Sequence, residues 1–281
     1  DRNAITEQVI SIKNRGKSFE NITLKDIELK YLGRGASEIY IGSLKGNSFE
    51  TTIRNLAKKE VEVIREKVKK GILMPNYFGE QRFSKNNAEI GKALIKGNFK
   101  QAAHLILNSN SEFSEKINLH LQNRKNDFVG ALKMVPFKLL KLYVHSYQSC
   151  IFNKTLGKYL NLPKDKPAKK IPGKNKINEQ EITQKLPIMG FSSEINDKKI
   201  EKIIQTIMEE ETITARDFII RSLPDLSSEG SERAAFIKVN DFEVISSEKD
   251  ELNRSKEKLT VRFSLPKGCY ATVLINFLFN D

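Results

Sequence analysis

The 281 residues are 39% apolar and 30% charged and contain no tryptophan, the balance of a globular chain long enough for a substantial core and two domains. Lys and Arg number 48 against 35 Asp and Glu, a net charge of +13 that favours a polyanionic partner, because each neutralised phosphate releases counterions. Composition excludes a membrane span, since no run of about 18 apolar residues occurs and the nearest stretch, Cys269 to Phe279, is interrupted by Thr272 and Asn276.

In chain order, residues 1–13 alternate toward a strand at Val9-Ile10-Ser11-Ile12. The opening DRNAITEQ has neither an apolar core nor a cleavage pattern, so no signal peptide is expected. Residues 24–55 read as β structure, with Gly46-Asn47 between strand-like runs as a hairpin signal. Leu56, Val61, Ile64 and Val68 then share one face of an amphipathic helix that stops at Gly71. Two short helices follow, broken at Gly97-Asn98, and residues 131–161 carry apolar side chains at helical spacing. The run PKDKPAKKIPGKNKI holds Lys164, Lys166, Lys169, Lys170, Lys174 and Lys176 among prolines, and predicts a basic loop. A helix is expected over 196–211 and another in ITARDFIIRSLP, after which β character returns from Ser231 through CYATVLINFLF. The order β-rich, α-rich, β-rich predicts a helical domain inserted into a mixed-sheet domain whose first and last pieces pair in one sheet.

Between the first helix and the next lies MPNYFGEQRFSKNNAEIG, residues 74–91, an irregular segment with amides, rings, a carboxylate and a guanidinium around Gly79. Such segments often carry sites, although rings that plug into the core would leave the same pattern. No phosphate-binding glycine loop, serine elbow or Cys-His pair occurs. Cys150 and Cys269 lie far apart, which predicts reduced thiols inside the cell, in the cytoplasm. His104, His120 and His145 form no metal motif, and each reads as a surface or packing residue. Asp1, Asn76 and Glu80, with rings at 77, 78 and 270 and no cofactor motif, suit a site that grips a base by stacking. Charge alone leaves RNA, DNA and an acidic membrane surface open as partners.

Six segments together resemble the TruD family of tRNA pseudouridine synthases: DRNAITEQ, IGSLKGNSFETTIRNL, NYFGEQRFS, VPFKLLKLYVHSYQSCIFNKTL, LPIMGF and LPKGCYAT, in the family's order along nearly the whole chain. The resemblance implies an α+β fold, a pseudouridine synthase mixed-sheet catalytic domain with an inserted, mostly helical TruD-specific domain. Its parts would be residues 1–98 and 237–281 for the catalytic domain and 99–236 for the insertion. It implies an isomerase acting on a D-arm uridine of tRNA, without cofactor or metal and as a monomer. Asp1 matches the catalytic aspartate, Asn76 the asparagine that orients it, Phe78 a ring lining the uracil site and Tyr270 a base-stacking position. Glu80, Gln81 and Arg82 belong to the same motif as supporting residues. Family members continue upstream of the aspartate with strands and a basic residue, and carry an Arg-Glu pair after Ala271-Thr272 where this sequence reads VLINFLF. The competing expectations are a non-catalytic RNA-binding module and a basic structural protein of a ribonucleoprotein particle.

Overall fold

The front of the chain holds little regular structure. In the computed structural model, which describes residues 4–13, 20–40, 42–109, 112–161 and 183–279, strands β1 (Ile22–Thr23) and β2 (Glu28–Leu29) pair only with each other. The expected strand at Val9–Ile12 does not form, and Val9, Ile10 and Ile12 stand exposed. A period-2 run needs a ladder partner for its backbone groups, and none among the described residues supplies one.

Strand β3 (Gly46–Leu56) follows, and then helix α1 (Lys58–Lys69). A Glu60 carboxylate oxygen accepts the Ala57 N–H at 2.6 Å to start the helix. Val61 and Ile64 are buried on the face the spacing predicted. Short strand β4 (Leu73–Pro75) leads into a 3-10 segment at Glu80–Asn86.

Helices then dominate: α2 (Asn87–Ile95), α3 (Phe99–Asn108), α4 (Ser114–Asn123), α5 (Phe128–Leu132) and α6 (Phe137–Tyr159). Side-chain caps begin two of them, Asn98 Oδ1 accepting from the Gln101 N–H and Asp127 Oδ1 from the Gly130 N–H. Helix α6 buries residues around most of its circumference, from Leu140 and Tyr143 to Phe152 and Leu156, as a central helix must. It packs on α2 where Gly91 faces the Tyr143 carbonyl so closely that any Cβ would collide with it.

Strand β5 (Lys185–Ile188) precedes helix α7 (Lys198–Glu211), whose first turn is capped by Asp197 Oδ1 at 2.7 Å from the Lys199 nitrogen. Glu211, at the end of α7, accepts from Lys92 Nζ at 2.6 Å, from Tyr147 Oη at 3.0 Å and from Lys154 Nζ, so one carboxylate ties α2, α6 and α7 together. Beyond it, ITARDFIIRSLP gives two 3-10 turns, Ala215–Phe218 and Pro224–Leu226, where a helix was expected. Asp217 turns its carboxylate back to the Thr214 N–H, and Pro224 offers no N–H to continue a ladder.

The chain returns as β6 (Ser231–Ala234), β7 (Phe236–Lys238), β8 (Asn240–Lys249) and β9 (Glu257–Pro266). Strand β9 lies between β3 and β8, antiparallel to both, so the first and last pieces of the chain share a sheet. The expected hairpin at Gly46-Asn47 is absent, because those residues already pair with Pro266 and Leu265. Strands β4 and β7 pair, as do β5 and β6. After β9 the expected strand is instead helix α8 (Ala271–Leu278), burying Val273, Leu274, Phe277 and Leu278. An apolar run of this length fits either element, and the 3- and 4-residue spacing of its buried members identifies the helix. Among the described residues no helix is long and apolar enough to cross a membrane.

Candidate active site

The site starts where β4 ends. Pro75 pairs with Phe236 at the strand's last position, and the Asn76 N–H carries the pairing one step further to the Ala235 carbonyl at 2.8 Å. That register sets Asn76 beside Ala234 and Arg233 at the end of β6. The Asn76 side chain is buried and its amide is oriented by its neighbours. Nδ2 donates to the Ala234 carbonyl at 3.0 Å, while Oδ1 accepts from Arg233 Nη2 at 2.5 Å and from the Cys269 thiol at 3.5 Å. One Nδ2 proton remains without a partner among the described residues.

Arg233 also donates from Nε to the Asn76 carbonyl at 3.1 Å and from Nη2 to the Gly268 carbonyl at 2.9 Å. It thereby fastens the turn before α8 to the end of β4. Burial, above all, pushes its pKa down from the ordinary guanidinium value, and Arg82 adds to the effect while Cys269 and Tyr270 oppose it. No ion pair to a carboxylate joins Arg233 among the described residues, so its charge is met by carbonyl oxygens and by a ring.

That ring is Phe78. Its backbone N–H donates to Asn153 Oδ1 and its carbonyl accepts from Asn153 Nδ2, both at 2.9 Å, so an amide on α6 engages the backbone as a neighbouring strand would. Phe152 meets the ring edge-on at 5.4 Å and Tyr270 lies 6.2 Å away at 65°. Tyr270 closes over Gly79, where an added Cβ would fall 2.7 Å from its Cδ1. The structure thus brings Asn76, Phe78 and Tyr270 together. Arg82 lies at their edge, its guanidinium 5.7 Å from the Phe78 ring centre. Glu80 and Gln81 are exposed on the 3-10 segment. Asp1 and the six lysines of the 163–177 loop lie outside the described residues.

A cleft of about 540 Å³ opens beside this cluster, between Phe78, Arg82, Lys141 and His145 on one side and Ser228–Ser231 with Arg233 on the other. Among the described residues Glu229 is its one acidic lining residue. Beneath it, Gln148 donates to the Met189 carbonyl at 2.6 Å and accepts from the Ser228 hydroxyl at 3.2 Å. Burial first, then the charges of Arg82 and Lys141, hold the His145 pKa below the ordinary imidazole value. Among the described residues no group of three or more His, Cys, Asp or Glu side chains could hold a metal ion.

Sequence reasoning missed Arg233, Asn153, Lys141 and His145 as members of the site. Asn153 lies in YQSCIFN, one of the segments that carried the resemblance, so a signal was present for it. Arg233 had none, because only the β4–β7 pairing brings it to Asn76.

A cationic cleft with a ring on its floor, at the seam of a sheet and a helical layer, is what an α+β enzyme acting on a nucleic acid presents. The model of the family "tRNA pseudouridine synthase D (TruD)" matches residues 1–118, 107–170 and 161–276. A Methanosarcina acetivorans protein named "Probable tRNA pseudouridine synthase D" is 30% identical over 98% of this chain and 77% of its own length. A Thermococcus sibiricus protein of the same name is 30% identical over 100% of the chain and 80% of its own. The crystal structure of a Methanosarcina mazei protein titled "Putative tRNA pseudouridine synthase D (TruD)" superposes with a TM-score of 0.68 and 25% identity, covering 92% of this chain and 74% of that one. The chain belongs to the TruD family of tRNA pseudouridine synthases. Its fold is that family's α+β fold and its activity is that of an isomerase acting on tRNA.

Proposed function

We propose that the chain converts a D-arm uridine of tRNA to pseudouridine with Asp1 as nucleophile, as a monomer in the cytoplasm and without a cofactor. The conversion breaks the N1–C1′ bond, turns the uracil and rejoins it to C1′ through C5. A carboxylate beside C1′ either attacks that carbon or takes a proton as a glycal-like intermediate forms. Aromatic faces hold the detached base, and a pocket that excludes water protects the intermediate from hydrolysis. Phe78 and Tyr270 are the proposed faces. Glu80, Gln81 and Arg82 are supporting residues. The domain division proposed is 1–98 with 237–281 for catalysis and 99–236 as the insertion, supported by the pairing of β3 with β9.

The observation that carries the reading is the state of the Asn76 amide. Three of its hydrogen-bonding positions are filled by Arg233, Cys269 and Ala234, which leaves one buried N–H to give. A donor of that kind favours the ionised form of a carboxylate it contacts, which a nucleophile at neutral pH requires.

Asp1→Asn keeps the shape of the side chain and removes its nucleophilicity. Pseudouridine formed in unmodified tRNA transcripts should fall below detection, while transcript affinity stays within about threefold of wild type. Turnover near the wild-type rate would exclude Asp1 as nucleophile. Pseudouridine at some other uridine would exclude the D-arm assignment.

A further inference from the structure

The α6 wall of the cleft carries Lys141, His145 and Ser149, spaced by four so that they lie along one stripe of the helix. Arg82 meets this stripe from the 3-10 segment. Its Nε donates to Ser149 Oγ at 3.3 Å, and its carbonyl accepts from Ser146 Oγ at 3.0 Å and Asn87 Nδ2 at 3.3 Å. The guanidinium is therefore set by hydrogen bonds on both its side chain and its backbone. Its Nη1 and Nη2, the Lys141 ammonium and both His145 ring nitrogens have no hydrogen-bond or ion-pair partner among the described residues.

The groups facing His145 come from three sides: Arg82 from the 3-10 segment, Lys141 from its own helix, and opposite them Glu229 from the stretch before β6 with Arg233 from β6 itself. Glu229 pairs with none of them among the described residues, and the charges of Arg82 and Lys141 add to burial in holding the imidazole pKa down. Two cations beside a half-buried imidazole form a local excess of positive potential, and a cleft concentrates it. An anion seated there would relieve their repulsion and make the imidazole easier to protonate.

We propose that Arg82, Lys141 and His145 form a phosphodiester subsite, which takes the RNA phosphate next to the target uridine while Phe78 faces the base. The proposal rests on the reading of Phe78 as the base platform. Arg82, close to that ring and on the same cleft, puts platform and phosphate contact within the span of one nucleotide. Phosphate is the recognised chemistry, and it can come from the RNA strand or from free inorganic phosphate.

Calorimetric titration with unmodified tRNA transcripts, in buffers of different ionisation enthalpy near pH ~6.5, measures protons taken up on binding. The phosphate raises the His145 pKa, so wild type takes up a fraction of a proton and His145→Gln takes up measurably less. Lys141→Gln lowers the slope of log affinity against log salt by about 0.7–0.9, and Lys141→Arg restores it. The KM of Lys141→Gln rises roughly three- to tenfold with kcat within about twofold. Inorganic phosphate is titrated in parallel. If it binds wild type while tRNA binding is unchanged in both Gln variants, the corner holds a free anion and the proposal is overturned. Wild-type proton uptake, salt slope and KM in both variants overturn it as well, while pseudouridine formation by wild type leaves the proposed function intact. Absence of pseudouridine with wild type removes that function, and the subsite with it.

Discussion

The guanidinium carbon of Arg233 lies 4.1 Å from the centre of the Phe78 ring, and the same group holds the Asn76 amide oxygen and the Gly268 carbonyl. One side chain therefore sets the ring, the amide and the turn that carries Tyr270. A planar fork that hydrogen-bonds in its plane while stacking on a ring is a guanidinium property, and an ammonium cannot reproduce it.

Arg233→Lys should consequently behave as a severe change. Loss of charge-assisted bonds to Asn76 and Gly268 is expected to cost about 1–3 kcal/mol of stability, read as a lower urea midpoint. Pseudouridine formation per folded molecule should fall by roughly tenfold or more as the Asn76 amide loses its orientation. Wild-type kcat/KM in a folded Arg233→Lys protein would show that the network is structural only.

Gly79 tests the same arrangement from the backbone. Its φ of −74° is open to any residue, so alanine there meets no backbone strain. The added Cβ instead falls 2.7 Å from Tyr270 Cδ1 and 3.0 Å from Cγ, forcing the ring or the turn aside. Gly79→Ala should lower stability by the ~1–3 kcal/mol typical of overpacking, read as a lower melting temperature, and lower kcat/KM. Stability losses that are less than additive in the Gly79→Ala/Tyr270→Ala double variant would assign the overpacking to that ring.

Much of this fold was legible because burial repeats at regular spacing. Val61 and Ile64 announced α1, although Leu56, expected on the same helical face, ends β3 instead, and the β-rich ends of the chain announced that β3 and β9 would meet. The Val273–Leu278 run was misread because a segment apolar on every side satisfies both periods, and its buried helical pattern shows only after packing. At the site, Asn76, Phe78 and Tyr270 came from motifs whose residues lie in short segments. Arg233 came from neither spacing nor motif, and His145, although inside VPFKLLKLYVHSYQSCIFNKTL, was read only as a surface or packing residue. Each is defined by what the strand register or the helix face places opposite it, and that is tertiary information.

Glu211 predicts an acid response. Its burial would raise the pKa, but hydrogen bonds from Lys154 and Lys92 outweigh this and bring it from 4.5 down to about 2. A depressed folded pKa contributes stability that is present above the unfolded value and is lost as pH falls toward the folded one. Stability should therefore drop between pH 4.5 and about 2, and this part of the drop should vanish in Glu211→Gln. At neutral pH that variant leaves the Lys92 and Lys154 ammoniums without their shared carboxylate, at a cost of about 1–3 kcal/mol. Urea midpoints across the acid range check both statements, and parallel curves for wild type and variant would reject the linkage.

Phe78 separates base stacking from packing. The ring is half-buried, edge-on to Phe152 and under Arg233, so Phe78→Ala removes both core contacts and any platform for uracil. Stacking on an aromatic face is worth about 1–3 kcal/mol, which corresponds to a fall in kcat/KM of roughly 5- to 150-fold at equal folded concentration. Phe78→Leu keeps most of the apolar volume and should recover stability without recovering kcat/KM. Phe78→Tyr keeps the ring and should recover both. Asn153 holds the backbone of residue 78 through its N–H and carbonyl in all three variants, so the position of the segment is not the variable. Melting curves fix the folded fraction, and initial rates of pseudouridine formation at sub-saturating tRNA transcript read kcat/KM. Equal kcat/KM for the Leu and Tyr variants would mean that Phe78 packs the site without stacking on the base.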